Sequence, residues 1–284
     1  MPQTTLADSF VLEGVSLHSG IMVSMEFRPA PADSGIVFHV QSGDGEHLLA
    51  PRPEAVGATE LATTISDGAH SVSTIEHVLA GLRGMEVDNA AVYVEGGEVP
   101  ILDGSARLVV EGLKKAGLQK QSSPRRIARV AREFSFADGK KSICAEPFDG
   151  FRVDYTIRFD HPAIGVQRFC FELEPEAFAK EIACARTFGF LRDVEYLRSH
   201  GLARGGSLEN VVVIGEQGVV NSEGLRFADE FVRHKILDFI GDMAMLGRPM
   251  LGAFTVECSG HAHNNAFLRR LASAPGALEE TEIQ

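Results

Sequence analysis

Histidine and aspartate recur at helical spacing late in the sequence. His234 and Asp238 stand four residues apart in HKILD, so a helix places both side chains on one face. An imidazole and a carboxylate in that arrangement can bind one metal ion. Asp242 continues the same stripe by one more turn. The alternative is a solvated acidic face, because carboxylates are rarely buried unless they are paired.

A glutamate and a histidine interrupt an apolar run in STIEHVLAGL. If Glu76 and His77 are buried, they need polar partners. If His77 binds a metal, Glu76 lies about 100° around the helix and can accept a proton from a metal-bound water. The alternative is a histidine at the edge of the core beside a solvated glutamate.

A third cluster is SGHAHNN, between the strand-like AFTVEC and the helical AFLRRL. Gly260 gives the backbone the freedom to present His261, which can then act as an acid or stabilise charge. His263 is a second candidate, and either histidine can instead be a polar capping residue. The three clusters come from both halves of the sequence, so they form one site only if the halves face each other.

The composition is that of a globular protein with a sizeable core. The chain has 284 residues, of which 44% are hydrophobic and 23% charged, and its net charge of -12 disfavours binding to nucleic acid. The start of the sequence lacks the basic and apolar regions of a signal peptide, and no stretch has the roughly 18 apolar residues of a membrane helix. We therefore expect a cytoplasmic protein without a transmembrane segment.

The cysteines are widely spaced and form no CxxC pattern. They therefore do not match a zinc ribbon. We interpret Cys144, Cys170, Cys184 and Cys258 as reduced and buried.

Strands precede helices in each half of the sequence. IMVSMEFRP and GIVFHV predict strands, and residues 73–85 predict a helix capped by Ser73 or Thr74. A further helix starts at about Ser105 and ends at Gly117. In the second half, strands in IARVAREFSF, KSICAEP, FRVDYTIRF and QRFCFELE precede a helix in PEAFAKEIACAR and the longest helical pattern, over residues 225–246. This order predicts an α+β fold.

A polar segment without periodicity separates the two halves. Residues 118–126, LQKQSSPRR, contain a proline and have the composition of a linker. We place a boundary there, which gives a first α+β domain at residues 1–122 and a second at residues 123–284.

Six segments, in their order along the chain, resemble the UDP-3-O-acyl-N-acetylglucosamine deacetylase (LpxC) family: GVSLHSG, STIEHVLAGLRGMEVDNA, EVPILDGSA, ARTFGFLRDVEYL, GLRFADEFVRHKILDFIGD and SGHAHNN. The similarity covers residues 12–268. It implies two similar two-layer sheet/helix domains, packed with their helices between the sheets and the active site at their junction. The sequence departs from the family pattern at Ser16, where the family has glycine, and at His263, where it has an apolar residue.

The resemblance implies a catalytic metal centre. His77, His234 and Asp238 match the ligands of one zinc ion per chain, and ferrous iron is an alternative metal. The fourth position stays open for water, as in other catalytic zinc sites. Glu76 matches the general base, and His261 matches the histidine that stabilises charge and protonates the leaving amine.

Three further residues match family positions around this centre. Thr187 matches the residue that polarises the carbonyl, and Lys235 matches a lysine that contacts the substrate. Asp242 matches the partner that orients the catalytic histidine, which would explain its place on the helix stripe.

The implied reaction hydrolyses the acetamide of UDP-3-O-acyl-N-acetylglucosamine to acetate and a free amine, the committed step of lipid A biosynthesis. An insert at about residues 191–213 matches the segment that encloses the acyl chain. The residues that we expect to contact the acyl chain or the sugar nucleotide are Phe159, His161, Phe188, Phe190, Leu191, Asp193, Val194, Leu197, Leu208 and Val211.

Two other functions fit fewer of these residues. A zinc amidase acting on another acetylated sugar or peptide would not need the apolar insert. A scaffold protein that kept the metal without turnover would not need Glu76, Thr187 and His261 together. We expect a monomer that binds a small nucleotide sugar and no nucleic acid.

Overall fold

Two main β-sheets and a layer of helices build the molecule. The computed structural model describes residues 1–43 and 45–283. Within these residues the helices are α1 (Glu76–Gly84), α2 (Arg107–Ala116), α3 (Pro175–Ala177), α4 (Val194–Ser199), α5 (Glu230–Ala244) and α6 (His261–Ser273). The strands there are β1 (Pro2–Leu6), β2 (Phe10–Val15), β3 (Met22–Pro29), β4 (Ile36–Ser42), β5 (Gly45–Leu49), β6 (Ile65–Ser66), β7 (Ser71–Val72), β8 (Ala90–Glu95), β9 (Leu118–Val130), β10 (Phe134–Asp138), β11 (Lys141–Glu146), β12 (Phe151–Arg158), β13 (Val166–Glu172), β14 (Phe188–Phe190), β15 (Val212–Ile214), β16 (Met250–Glu257) and β17 (Leu278–Ile283).

The smaller main sheet has the strand order β2-β3-β8-β4-β5. Strands β4 and β8 run parallel, and the other neighbours are antiparallel. The predicted alternation of IMVSMEFRP is confirmed in β3, where Val23, Met25 and Phe27 are buried and the residues between them are partly exposed. One face of this sheet therefore contributes to the core.

The larger sheet is built around β16. This strand pairs in parallel with β9 and β12 and antiparallel with β11. Strand β13 extends the sheet from β12, and β10 extends it from β11. Alternate residues of β12, among them Val153, Tyr155 and Ile157, are fully or almost fully buried. This face of the larger sheet therefore also contributes to the core.

The helices lie between the two sheets. Helix α1 packs against α2, which contacts β2 of the smaller sheet, and against α5, which contacts β12 and β13 of the larger sheet. The α+β fold with its helices between the sheets is therefore confirmed. No helix in the described residues combines the length and the apolar character needed to cross a membrane.

A single glycine allows α1 and α5 to approach closely. A Cβ atom at Gly241 of α5 would lie 2.0 Å from the carbonyl oxygen of Glu76 on α1. Real side chains do not make contacts that short, so a larger residue would push the helices apart. The crossing at Gly241 brings the first turn of α1 opposite the turn of α5 that carries Asp238.

The prediction of a linker at residues 118–126 is wrong. These residues form the first part of β9, which pairs with β1 through Leu118 to Pro124 and continues to Val130 beside β16 and β17. The segment is polar because most of its side chains are exposed, not because its backbone is unpaired. The boundary between residues 122 and 123 falls within this strand, and the division into two domains stays a prediction.

Two smaller expectations are also wrong. Neither Ser73 nor Thr74 caps α1, because the helix begins at Glu76 and its N-cap is Ile75, without a side-chain hydrogen bond. The hydroxyl of Thr74 donates instead to Glu98. Gly117, in contrast, ends α2 with a positive φ of 74°, as predicted.

The expectation that the cysteines are buried is the second one that is wrong. The cysteines are free thiols, but Cys170 is exposed and the other three are only partly buried.

Candidate active site

The three predicted metal ligands come together where α1 and α5 cross. The Nε2 atoms of His77 and His234 lie 3.4 Å and 3.2 Å from Oδ1 of Asp238. All three residues are buried and form the kind of group that can hold a metal ion. A solvated acidic face is therefore excluded for this stripe of α5, where Asp242 is also fully buried.

One oxygen of Asp238 provides the clearest evidence that this group fits a cation. Oδ1 is buried and has no hydrogen-bond partner in the described part of the chain, although it faces two imidazole nitrogens. Leaving a buried carboxylate oxygen unpaired is costly. A divalent ion bound by two imidazoles and one carboxylate would satisfy it. Oδ2 already accepts a hydrogen bond from Nζ of Lys235 at 2.8 Å.

The surroundings of His234 keep its ring neutral and correctly oriented. Nδ1 donates to the backbone carbonyl of Ala185 at 3.1 Å, which leaves Nε2 with a free lone pair toward Asp238. Burial lowers the pKa of His234 to about 4, although Asp238 opposes this shift. The ring is therefore unprotonated at neutral pH, which is the form that binds a metal.

Glu76 begins α1 and is buried beside the metal group. Its Oε2 accepts the backbone N–H of Thr63 at 2.9 Å, and its Oε1 lies 3.9 Å from Nε2 of His261. Burial raises the pKa of the Glu76 carboxyl, while His261 and His77 oppose that effect. A higher pKa makes the carboxylate a stronger base.

His261 begins α6 and faces the metal group from the other side. Its Nδ1 donates to Oδ2 of Asp242 at 2.9 Å, and its Nε2 lies 3.9 Å from Asp238. Burial lowers the pKa of His261, but the Asp242 and Glu76 carboxylates outweigh this and raise it to about 9. The ring therefore carries a proton at neutral pH in this arrangement.

Thr63 connects Glu76 to Asp242, and it was not among the residues predicted from the sequence. Its N–H donates to Glu76, and its hydroxyl donates to Oδ1 of Asp242 at 2.5 Å. Asn264, another missed residue, donates to Oδ2 of Asp242 at 2.8 Å. Thr63 lies in LATTIS, which mixes apolar and hydroxyl residues and matches no motif, so the sequence does not distinguish it from its neighbours.

The predicted sugar-nucleotide residues form an aromatic group next to His234. The ring of Phe159 lies 5.7 Å from Phe188 and 6.0 Å from Phe190, and His161 lies 5.6 Å from Phe190. Phe188 in turn lies 6.2 Å from the ring of His234. Thr187 directly precedes this group, and its N–H donates to Gly104 of the first half.

The predicted insert forms a small unit of its own. Strands β14 and β15 pair in parallel and are linked through α4. Leu191 and Leu208 are 52% and 46% exposed, whereas Val194, Leu197 and Val211 are partly buried. Asp193 is also exposed and lies beside Arg192. Apolar side chains on the surface of a small unit are available to contact a ligand.

The two departures from the family pattern have separate surroundings. His263 is buried, stacks on Phe136 at 4.6 Å and contacts the hydroxyl of Ser259 at 3.0 Å. Among the described residues it is not part of the metal group. Ser16 is buried in a turn, where its hydroxyl contacts Ser19 and donates to the carbonyl of Ile21.

This arrangement is that of a metal-dependent amidohydrolase: a buried site for a cation, with a carboxylate and a protonated histidine beside it. The chain belongs to the UDP-3-O-acyl N-acetylglycosamine deacetylase family, whose model matches residues 3–273.

Several similar proteins support this assignment. A UDP-3-O-acyl-N-acetylglucosamine deacetylase of Oleidesulfovibrio alaskensis is 56% identical over 272 residues, which cover 96% of this chain and 89% of the relative. The protein of the same name from Nitratidesulfovibrio vulgaris is 55% identical over 284 residues, which cover 100% of this chain and 92% of the relative. That of Lawsonia intracellularis is 49% identical, with 95% and 89% covered.

The first prediction concerns the metal ligands. His77→Ala and Asp238→Ala should each contain much less metal than the wild type, because each removes one of three protein ligands. Elemental analysis after dialysis measures the metal content. Arg158→Ala, a change at a partly exposed arginine, serves as the control. Wild-type metal content in both ligand variants would contradict the assignment.

The second prediction concerns Thr63 as a positioning residue. Thr63→Val should lower kcat roughly tenfold or more with little change in KM, because a hydrogen bond to a charged group contributes about 1.5–3 kcal/mol. Thr63→Ser keeps the hydroxyl and should restore most of kcat. Steady-state kinetics on both variants make the comparison. If serine and valine give equal rates, the hydroxyl has no such role.

Proposed function

We propose that this chain hydrolyses the acetamide of UDP-3-O-acyl-N-acetylglucosamine, releasing acetate and a free 2-amino sugar as a step of lipid A biosynthesis. The relatives that carry this name match the chain almost from end to end. The observation that carries the proposal is the placement of Glu76 and His261 beside the group formed by His77, His234 and Asp238, with Oε1 of Glu76 3.9 Å from Nε2 of His261.

We propose zinc as the metal, with His77, His234 and Asp238 as its ligands. Two imidazoles and one carboxylate are a donor set that zinc accepts in hydrolases. When bound, zinc lowers the pKa of a coordinated water to about 7 and polarises a carbonyl oxygen. The unpartnered oxygen of Asp238 and the neutral ring of His234 support this choice.

Glu76 acts as the general base. It is buried, and its Oε2 is fixed by the N–H of Thr63, so its Oε1 is held on the side of the metal group. As water attacks the acetamide carbonyl, this carboxylate accepts the proton. We assign Thr187 to the carbonyl oxygen and Lys235 to the substrate. The ammonium group of Lys235 donates to Asp238 and therefore lies at the metal group, where a cation stabilises developing negative charge.

His261 acts as the general acid. An amide nitrogen is a poor leaving group unless it is protonated, and His261 carries a proton on the side facing Glu76. Asp242 orients the ring through Nδ1, which directs Nε2 into the site. Hydrolysis therefore ends with the proton transferred from His261 to the departing amine.

The remaining contacts define the substrate. We propose that Phe159, His161, Phe188 and Phe190 hold the sugar nucleotide, because aromatic rings next to a ligand histidine form an apolar wall on which a ring can stack. The insert at residues 191–213 then takes the acyl chain. We also propose that the protein is a cytoplasmic monomer.

The decisive experiment is release of acetate from UDP-3-O-acyl-N-acetylglucosamine by the purified protein. Turnover should be lost after metal chelation and restored by added zinc. An N-acetylglucosamine nucleotide without the acyl group, and an acetylated peptide, serve as competing substrates. Equal rates on all three would contradict the proposed substrate, whereas turnover unaffected by complete metal removal would contradict the proposed mechanism.

The third prediction concerns the acid and the base. Glu76→Ala and His261→Ala should each lower kcat by roughly 10²-fold or more, because each removes one proton transfer. The metal content should stay near that of the wild type, since neither residue is a ligand. Elemental analysis alongside kcat distinguishes this from metal loss. Near-normal turnover in either variant would reject the role of that residue.

The fourth prediction concerns the basic side of the pH profile. Activity requires protonated His261, whose pKa is raised by Asp242, so activity falls as pH rises through that pKa. Asp242→Asn removes the negative charge and should move this fall to lower pH. The profile of kcat against pH measures it, with circular dichroism as the folding control. An unmoved basic limb in a folded variant would show that Asp242 does not set it.

The fifth prediction concerns the insert. Leu208→Phe should shift the preference toward shorter acyl chains, because a bulkier side chain occupies space needed by the end of the chain. Rates on a series of acyl lengths measure the shift. Leu118→Phe replaces a leucine of similar exposure on β9 and should leave the series unchanged. The same series for both variants would exclude Leu208 from the acyl passage.

A further inference from the structure

A cavity of about 400 Å³ opens on the molecule away from the residues of the reaction. Its walls come from the C-terminal part of α1, the turns that flank β4 and β5, and the segment between α5 and β16. None of the residues assigned to metal binding or proton transfer lines it. The cavity therefore belongs to a different part of the contact between the two halves.

Arginines dominate the charge of this cavity. Arg52 and Arg83 line it from the first half of the chain, and Arg126 and Arg248 line it from the second. The acidic side chains among its described lining residues are Asp33 and Asp88. A protein with a net charge of -12 thus concentrates four guanidinium groups around one opening, where their fields add up.

The two aspartates are already engaged by other groups. Asp88 accepts hydrogen bonds from the N–H of Thr4 and from Arg125, which does not line the cavity. Asp33 accepts hydrogen bonds from Gln3 and Ser123. In the described residues neither aspartate makes a hydrogen bond or a close ion pair with Arg52 or Arg83, although the Asp88 carboxylate lies near enough to raise the pKa of Arg83.

Two of the arginines have ion-pair partners, and the other two have none in the described part of the chain. Arg126 lies 3.4 Å from Glu282, and Arg248 pairs with Glu280 at 2.5 Å, both on β17. No side-chain hydrogen bond or ion pair of Arg52 or Arg83 occurs within residues 1–43 and 45–283. The exposed Arg52 remains solvated, but Arg83 is only partly exposed.

Arg83 has an unfavourable environment for a cation. Burial and the nearby Arg125 together lower its pKa to about 10, although the Glu86 and Asp88 carboxylates oppose this shift. Guanidinium groups nonetheless stay charged at neutral pH. In the described residues, Glu86 and Asp88 act on this charge without a hydrogen bond or a close ion pair. Holding a poorly compensated charge in protein surroundings is costly, so an anion in contact with Arg83 would be stabilising.

We propose that this cavity binds a small molecule bearing a dianionic group, either a phosphate monoester or a dicarboxylate, between Arg83 and Arg52. The planar fork of arginine matches the geometry of both kinds of oxyanion. Leu79, Leu82 and Val87 provide an apolar wall beside the arginines, which suits a ligand with a short carbon body.

Isothermal titration of the zinc-loaded protein with glycerol 3-phosphate and, separately, with succinate tests this site. Sodium chloride at matched ionic strength corrects for non-specific screening. We expect at least one probe to bind with a dissociation constant below about 1 mM, and the probe that binds more tightly identifies the oxyanion. The measurement needs no turnover, so it is independent of the deacetylase assay.

Arg83→Gln should weaken binding at least tenfold. Arg52→Gln, at an exposed residue that carries little risk for folding, should weaken it as well. Arg158→Gln removes an arginine on β12 outside the cavity and should bind like the wild type. Failure of both probes to bind the wild type, or binding that is unchanged in the Arg83→Gln and Arg52→Gln variants, would overturn the proposal.

Discussion

The organisation of the active site depends on one unpaired oxygen, Oδ1 of Asp238. Glu76, Asp238 and Asp242 bring three carboxylates into one buried region, and the cations that face them there are Lys235 and protonated His261. A buried carboxylate is stable only when it is compensated. A divalent ion beside Asp238 would supply the missing positive charge, and the imidazoles of His77 and His234 would be its other ligands.

The carboxylates and the histidine that meet around the metal group come from different halves of the chain. Glu76 lies on α1, whereas Asp242 and His261 lie on α5 and α6. Thr63 contacts Glu76 through its backbone and Asp242 through its hydroxyl, so one residue fixes the relative position of both. Because Gly241 lets α1 and α5 approach closely, Thr63 can hydrogen-bond to Glu76 and to Asp242 directly. Catalytic geometry of this kind is more precise on helices than on loops.

The sequence predicted those parts of the structure that depend on local patterns. The spacing of His234, Asp238 and Asp242 on one helix was readable, as was the end of α2 at Gly117. The features that the sequence did not predict depend on contacts with residues far away in the chain. Residues 118–126 have linker composition, yet they form a strand because β1 pairs with them. Thr63 has no motif of its own, and its importance arises only because Asp242 folds against it from the other half.

Strand β9 also constrains the order in which the chain can fold. Its first part pairs with β1, near the start of the chain, whereas its second part pairs with β16 and β17, near the end of the chain. Pro124 pairs with Pro2, and the adjacent Arg125 pairs with Ile283. Pairings between such distant segments carry a large loop-closure entropy and slow folding. During synthesis, the smaller sheet can form as soon as its own strands have left the ribosome. The second part of β9, in contrast, stays without its partners until the ribosome has released β16 and β17.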